Sequence, residues 1–228
     1  MSIRILNILC EGQSEQVFAL KVLKPYLIPN DIIVRANLLI TNRKLNAQGG
    51  IISYQQVKRD LYNMMNSVND SQYEKHFFTT MFDLYALPTD FPGYSKTETN
   101  PYTRVATIEN AFSVDINSHR FIPYIELHEF ETLVLCNPLK LKQTYPNAQK
   151  QIEELDTKWR KETNGNVELV NSTRETSPSK RLIRALEDHY NYDKKLMAVV
   201  ATQDIGIDTL RQLCVHFNQW IDRIINIQ

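Results

Sequence analysis

At 228 residues, 43% hydrophobic and 23% charged, the chain has the size of one large domain or one and a half and the composition of a globular protein, which excludes disordered, collagen-like and disulfide-scaffold classes. Its 26 basic residues balance 26 acidic ones, so no global positive field holds nucleic acid, and any contact with phosphate must come from a local patch or a partner. Cys10, Cys136 and Cys214 are far apart and form no C-x-x-C pair, which fits a reducing compartment; with no run of signal-peptide or membrane-span length, a cytoplasmic protein without membrane association is expected.

Ile3 to Cys10 is an apolar run of strand length. Glu11-Gly12 follows, then VFALKVLKPYL, whose apolar residues recur at helical spacing. Ile32 to Thr41 reads as a second strand, and a turn with Gly49-Gly50 leads to a helix from about Ser53 to Met65. His76 to Phe82 reads as a third strand ending at Asp83, and the proline-interrupted stretch from Leu87 to Tyr102 as an irregular loop over that strand end. A helix near Arg104 to Phe112 and a strand near Phe121 to Leu127 complete a βαβαβαβ order. That order predicts an α/β fold with a mostly parallel, Rossmann-like sheet flanked by helices over residues 1–138.

From 139 to 228 the pattern turns helical, with segments at Gln149–Lys161, Ser179–His189 and Leu210–Ile227. This second region is expected to pack on the α/β core. Residues 76–138 carry a balance of −5 and residues 139–195 a balance of +3, an asymmetry that favours docking of the two.

Ligands of open parallel sheets bind outside the carboxyl ends of the strands. Three strands here end in acids: Glu11 after the first, Asp83 after the third, and Glu126 with His128, Glu129 and Glu131 after the fourth. Gathered on one edge, these carboxylates would repel one another unless a hard divalent ion, Mg²⁺ or Mn²⁺, lay among them. Each acid taken alone is equally an ordinary helix cap or a solvated turn residue. His128 and Glu131 would share a face of a helix begun there, yet the spacing is not H-E-x-x-H, which excludes a zinc-protease reading. A buried histidine satisfied by a carboxylate is the plainer account of His128.

Ser177-Pro178-Ser179-Lys180-Arg181 is a helix start with a capping serine, a proline at the first position and two cations. Ser179, Lys180 and Arg181 are therefore candidates to hold a phosphate, against the plainer account of a capped helix with solvated cations.

The segments CEGQSEQVF, TTMFDLYALPTDFPG, RFIPYIELHEFETLVL, TSPSKRL and LRQLCVHFNQWI resemble, in order and over most of the chain, the bacterial family called domain of unknown function 4276. That family is similar to the Toprim group of topoisomerases, primases and OLD-type nucleases, and its members are often encoded beside ABC-type ATPases in loci read as phage defence. The resemblance implies a Mg²⁺-dependent nuclease with an ATPase partner and a nucleic-acid substrate. Glu11 matches the Toprim glutamate and Asp83 the first aspartate of its Asp-x-Asp pair. Tyr85 stands where the second aspartate would be, so Glu126, Glu129 or Glu131 would have to complete the metal site. Lys180 and Arg181 would neutralise developing charge, and Glu15 or His128 would transfer protons. The rival expectation is a non-catalytic module that binds a nucleotide or an ATPase partner.

Overall fold

The computed structural model describes residues 2–42, 47–48, 50–170, 176–186 and 194–228. In chain order its elements are β1 (Ile3–Cys10), α1 (Gln13–Phe18), α2 (Lys24–Leu27), β2 (Ile32–Leu38), the antiparallel pair β3 (Ile40–Asn42) and β4 (Ala47–Gln48), α3 (Tyr54–Asn66), β5 (Glu74–Asp83), α4 (Pro101–Ile116), β6 (Phe121–Ile122) and β7 (Ile125–Glu126). Helices α5 (Glu131–Leu135), α6 (Gln149–Glu162), α7 (Pro178–Leu186), α8 (Lys194–Ile205), α9 (Ile207–Leu213) and α10 (Val215–Ile225) follow.

The main sheet has the order β2-β1-β5-β6, with β7 also on β5, and every pair in it is parallel. Period-2 alternation assigns its side chains to two layers. Phe77 and Met81 of β5 join a core with Leu6, Ile8 and Cys10 of β1, which continues through α5 to Phe217, Trp220 and Ile224 of α10. Phe78 and Phe82, one residue out of phase, join a second core with Val57 and Leu61 of α3 and Ile108 and Phe112 of α4. Helices on both faces explain why β5 is buried almost throughout. Truncating Phe78 to alanine would cost about 3–5 kcal/mol.

The chain places the expected elements and shifts several boundaries. The strand expected at 121–127 is two short strands, because Pro123 has no N–H to give the ladder. Thr80 closes that break: its hydroxyl donates to the carbonyl of Tyr124 at 2.9 Å and accepts the Tyr124 N–H at 3.1 Å. The helix expected from Arg104 starts at Pro101, where the Asn100 side chain accepts the N–H groups of Tyr102 and Thr103. The closing helix breaks at Cys214 into α9 and α10, and α8 had no counterpart among the expected elements. Gly49 of the expected turn, and 187–189 of the helix expected at Ser179–His189, lie outside the described residues. Residues 88–100 form the expected irregular loop. Among the described residues no helix is long and apolar enough to cross a membrane.

Candidate functional site

Strand order reverses direction between β1 and β5, since the chain leaves β1 for β2 and returns across it to β5. At such a switch point the loops diverge to opposite faces and open a crevice beyond the strand ends. Glu11 and Asp83 occupy this place. The Glu11 carboxylate accepts the Asp83 backbone N–H at 3.0 Å, and Asp83 Oδ1 accepts the Phe130 N–H at 2.9 Å, which pins the turn after β7 against the end of β5. Asp83 lies opposite Glu126 in the β5–β7 register. Glu15 is buried in the first turn of α1, and its carboxylate folds back so close to Gly12 that a Cβ there would stand 2.8 Å from Oε2 and shift the side chain.

Glu126 is 1% exposed. Its Oε2 accepts the Tyr124 hydroxyl at 2.5 Å, while Oε1 is buried without a hydrogen-bond partner. Burial raises its pKa well above the carboxylate range, against the help of Tyr124, and Glu168, Glu15 and Glu109 add to the rise. Glu131, fully buried, begins α5 close behind it in the chain.

His128 has a left-handed backbone, φ 72°, a strained conformation for a non-glycine residue and one often found at functional sites. Its Nε2 lies 3.0 Å from the Glu168 carbonyl, which only accepts, so Nε2 carries a proton. Nδ1 is buried with no partner. Burial lowers the pKa of His128 to about 4, opposed by the Glu168 carbonyl and by Glu129. Tyr85 N–H donates to the His128 carbonyl at 3.3 Å, and the two rings lie 5.4 Å apart. The Tyr85 hydroxyl is pushed up to about 12 by burial and by Glu129, with Arg104 acting the other way.

The start of α7 reaches this edge through Glu129, whose Oε2 accepts the Ser179 N–H at 2.9 Å. A carboxylate of the chain itself thus sits where a phosphate was expected at that helix N-terminus. Arg181 turns toward α6, donating to Glu162 at 2.6 Å and to the Thr176 carbonyl at 2.7 Å. Lys180 is exposed. Glu11, Glu15, Asp83, Glu126, Glu129 and Ser179 are therefore connected to one strand edge, and the Arg181 guanidinium is bound elsewhere.

Sequence reasoning missed the polar network behind this edge. Glu168 accepts the N–H groups of His216 and Phe217 at the start of α10, at 3.0 and 3.2 Å, and the Tyr102 hydroxyl at 2.8 Å. Glu109 accepts the Ile125 N–H at 2.8 Å and faces His216 Nε2 at 3.1 Å. Arg104, in the sequence no more than a residue of the expected helix, borders a cleft of about 350 Å³ with His128 and Tyr85. Asn100-Pro101, a cap followed by a first-turn proline, was the one signal available: it places Arg104 in the first turn of α4, beside the loop over β5.

Hard oxygen donors on one edge suit Mg²⁺ or Mn²⁺ chemically, and the buried, unpartnered Oε1 of Glu126 is an atom that a cation would satisfy. Among the described residues no group of three His, Cys, Asp or Glu side chains is placed to hold a metal ion. Mg²⁺ does not require one, because it commonly keeps several waters and binds one or two carboxylates together with substrate phosphates. No curated protein and no solved structure matches the chain. From residue 10 to residue 225, spanning the strand-end acids, α7 and α10, it matches the family described as Domain of unknown function (DUF4276), and it belongs to that family.

Proposed function

We propose that the protein is a Mg²⁺- or Mn²⁺-dependent phosphodiester hydrolase, Toprim-like in its use of a glutamate and an aspartate on adjacent parallel strands. One observation carries this reading: at the switch point the Glu11 carboxylate rests on the Asp83 amide, and Asp83 is in register with Glu126. Glu11, Asp83 and Glu126 would hold the ion, with water and a substrate phosphate completing its shell. When bound, it would polarise a phosphoryl oxygen and acidify a bound water. Phe130 N–H fixes the Asp83 carboxylate, and the Asp83 N–H fixes that of Glu11, so both are oriented before substrate arrives. Glu15, buried in the first turn of α1, would take up a proton from the attacking water, while His128 borders the cleft beside this edge. Exposed Lys180 at the start of α7 is available to the phosphate backbone. The partner implied by the family resemblance is an ABC-type ATPase, which copurification with the neighbouring gene product would test.

The second reading is a non-catalytic nucleotide- or partner-binding module. It is favoured by the lack, among the described residues, of a three-ligand metal group and by Tyr85 in place of a second strand-end acid. The discriminating experiment is hydrolysis of fluorogenic single-stranded DNA and RNA with and without Mg²⁺ or Mn²⁺. Metal-dependent cleavage lost in both E11Q and D83N supports the hydrolase. Absence of cleavage, with or without the ATPase, supports the module.

A further inference from the structure

The cleft beside the acidic edge has a different chemistry from the edge itself. It holds about 350 Å³, and Tyr85, Glu98, Thr99, Arg104 and His128 line it, a volume in the range of small-molecule sites. Two residues of its lining carry buried nitrogens that lack hydrogen-bond partners, Arg104 Nε and His128 Nδ1. His128 is only 5% exposed, and unpaired buried polar atoms are costly enough that native structures keep few of them. Neither nitrogen is satisfied by a near neighbour in the cleft. Arg104 stacks its guanidinium on the Tyr94 ring at 5.1 Å, and Glu98 turns its carboxylate to the Asn100 N–H at 2.7 Å. His128 is held through Nε2 by the Glu168 carbonyl, and its left-handed φ is a conformation that most residues avoid. Tyr85 is 39% exposed at the rim, where an aromatic face is a platform for a planar ring.

We propose that this cleft binds a ribonucleotide unit, with Arg104 taking the phosphate, His128 Nδ1 a ribose hydroxyl and Tyr85 stacking on the base. Guanidinium is suited to phosphate by its fixed donor geometry. A hydroxyl both donates and accepts, so it meets the Nδ1 atom in either protonation state, and a deoxyribose lacking that hydroxyl would leave the nitrogen unpaired. The inference deepens the hydrolase reading by naming its substrate class, and it rests on that reading only in placing the ligand next to the strand-end acids. Free ribonucleotide and the ribonucleotide units of RNA share this chemistry.

The test is calorimetric titration of the full chain with AMP, 2′,3′-dideoxy-AMP, adenosine and the trinucleotide ApApA, all in EDTA so that metal binding plays no part. AMP is expected to bind at least tenfold more tightly than adenosine and than the dideoxy analogue. R104Q should erase the advantage over adenosine, and H128N the advantage over the dideoxy analogue; asparagine is chosen because it tolerates the left-handed backbone at 128. Tighter binding of ApApA than of AMP would assign the site to RNA, and equal or weaker binding would assign it to free nucleotide. E11Q should bind AMP like the unmodified chain, so a failure of the metal site leaves this result standing. If AMP does not bind the unmodified chain at millimolar concentration, or binds no better than adenosine and the dideoxy analogue, the proposal is overturned. That ligand comparison decides the matter even where R104Q or H128N fails to fold.

Discussion

Glu109 and Glu168, on one hand, and Glu11, Asp83 and Glu126, on the other, lie in the same half of the molecule with different surroundings. Glu168 accepts two N–H groups of α10 and the hydroxyl of Tyr102, and Glu109 accepts a strand amide and faces His216. Those acids act as caps and clamps, joining the C-terminal helices to the sheet. The strand-end acids meet the sheet edge instead: Glu11 accepts the Asp83 amide and Asp83 the Phe130 amide, and Glu126 leaves one buried oxygen unpartnered. Burial with full pairing stabilises a fold, whereas burial without it is tolerated where function requires it. The identity of an acid therefore says less about its role than the groups its carboxylate meets.

The comparison breaks most readily at Glu168. E168A leaves the His216 and Phe217 N–H groups without their acceptor and the Tyr102 hydroxyl with Asn166 alone, so a loss of about 3–5 kcal/mol in urea unfolding is expected. At the strand ends the largest effect should be on turnover. E11Q and D83N are each expected to lower metal-dependent hydrolysis by about 100-fold or more while changing stability by only about 1 kcal/mol. An E168A variant as stable as the unmodified chain would erase the distinction between the two sets of acids.

Removing the Glu126 charge should act in the opposite direction from removing Glu168. With its pKa raised in the folded state, the folded chain holds a proton that the unfolded chain releases, so stability falls as pH rises above the ordinary glutamate range. E126Q removes this loss. In EDTA at pH 8 it should gain on the order of 1 kcal/mol in unfolding free energy, and a destabilised E126Q would place Glu126 among the scaffolding acids. The smallest expected effect belongs to His216. Burial pulls its pKa down, but Glu109, Glu168 and the Ile125 carbonyl outweigh that and leave it raised. Its contribution is fully present below the unfolded histidine pKa and is lost as pH rises through the folded value. H216Q should flatten that slope by about 1 kcal/mol or less, measured as melting midpoints from pH 6 to pH 9.

The sheet and the strand-end acids were legible in the sequence because both depend on short-range patterns. Apolar runs ending at Glu11, Asp83 and Glu126 mark strands and their carboxyl ends, and parallel pairing then brings those ends together. The split at Pro123 was also written locally, in a residue without an N–H, but the reading carried the strand through it. What could not be read is contact between distant segments. Nothing near Glu168 indicates that it caps a helix some 50 residues later, and nothing in Ser177–Arg181 indicates that Glu129 takes the Ser179 amide. Arg181 reads as a phosphate ligand in sequence, yet Glu162 on α6 holds it. Such choices are made by packing among helices and leave no periodic trace.

Binding of a divalent ion by Glu11 and Asp83, with Glu168 serving the fold, is tested by calorimetric titration of MnCl₂ into the unmodified chain, E11Q, D83N and E168Q. The expected result is saturable binding of one Mn²⁺ by the unmodified chain and by folded E168Q, weakened at least tenfold in E11Q and in D83N. Absence of saturable binding by the unmodified chain, or equal affinity in E11Q and D83N, would contradict the account.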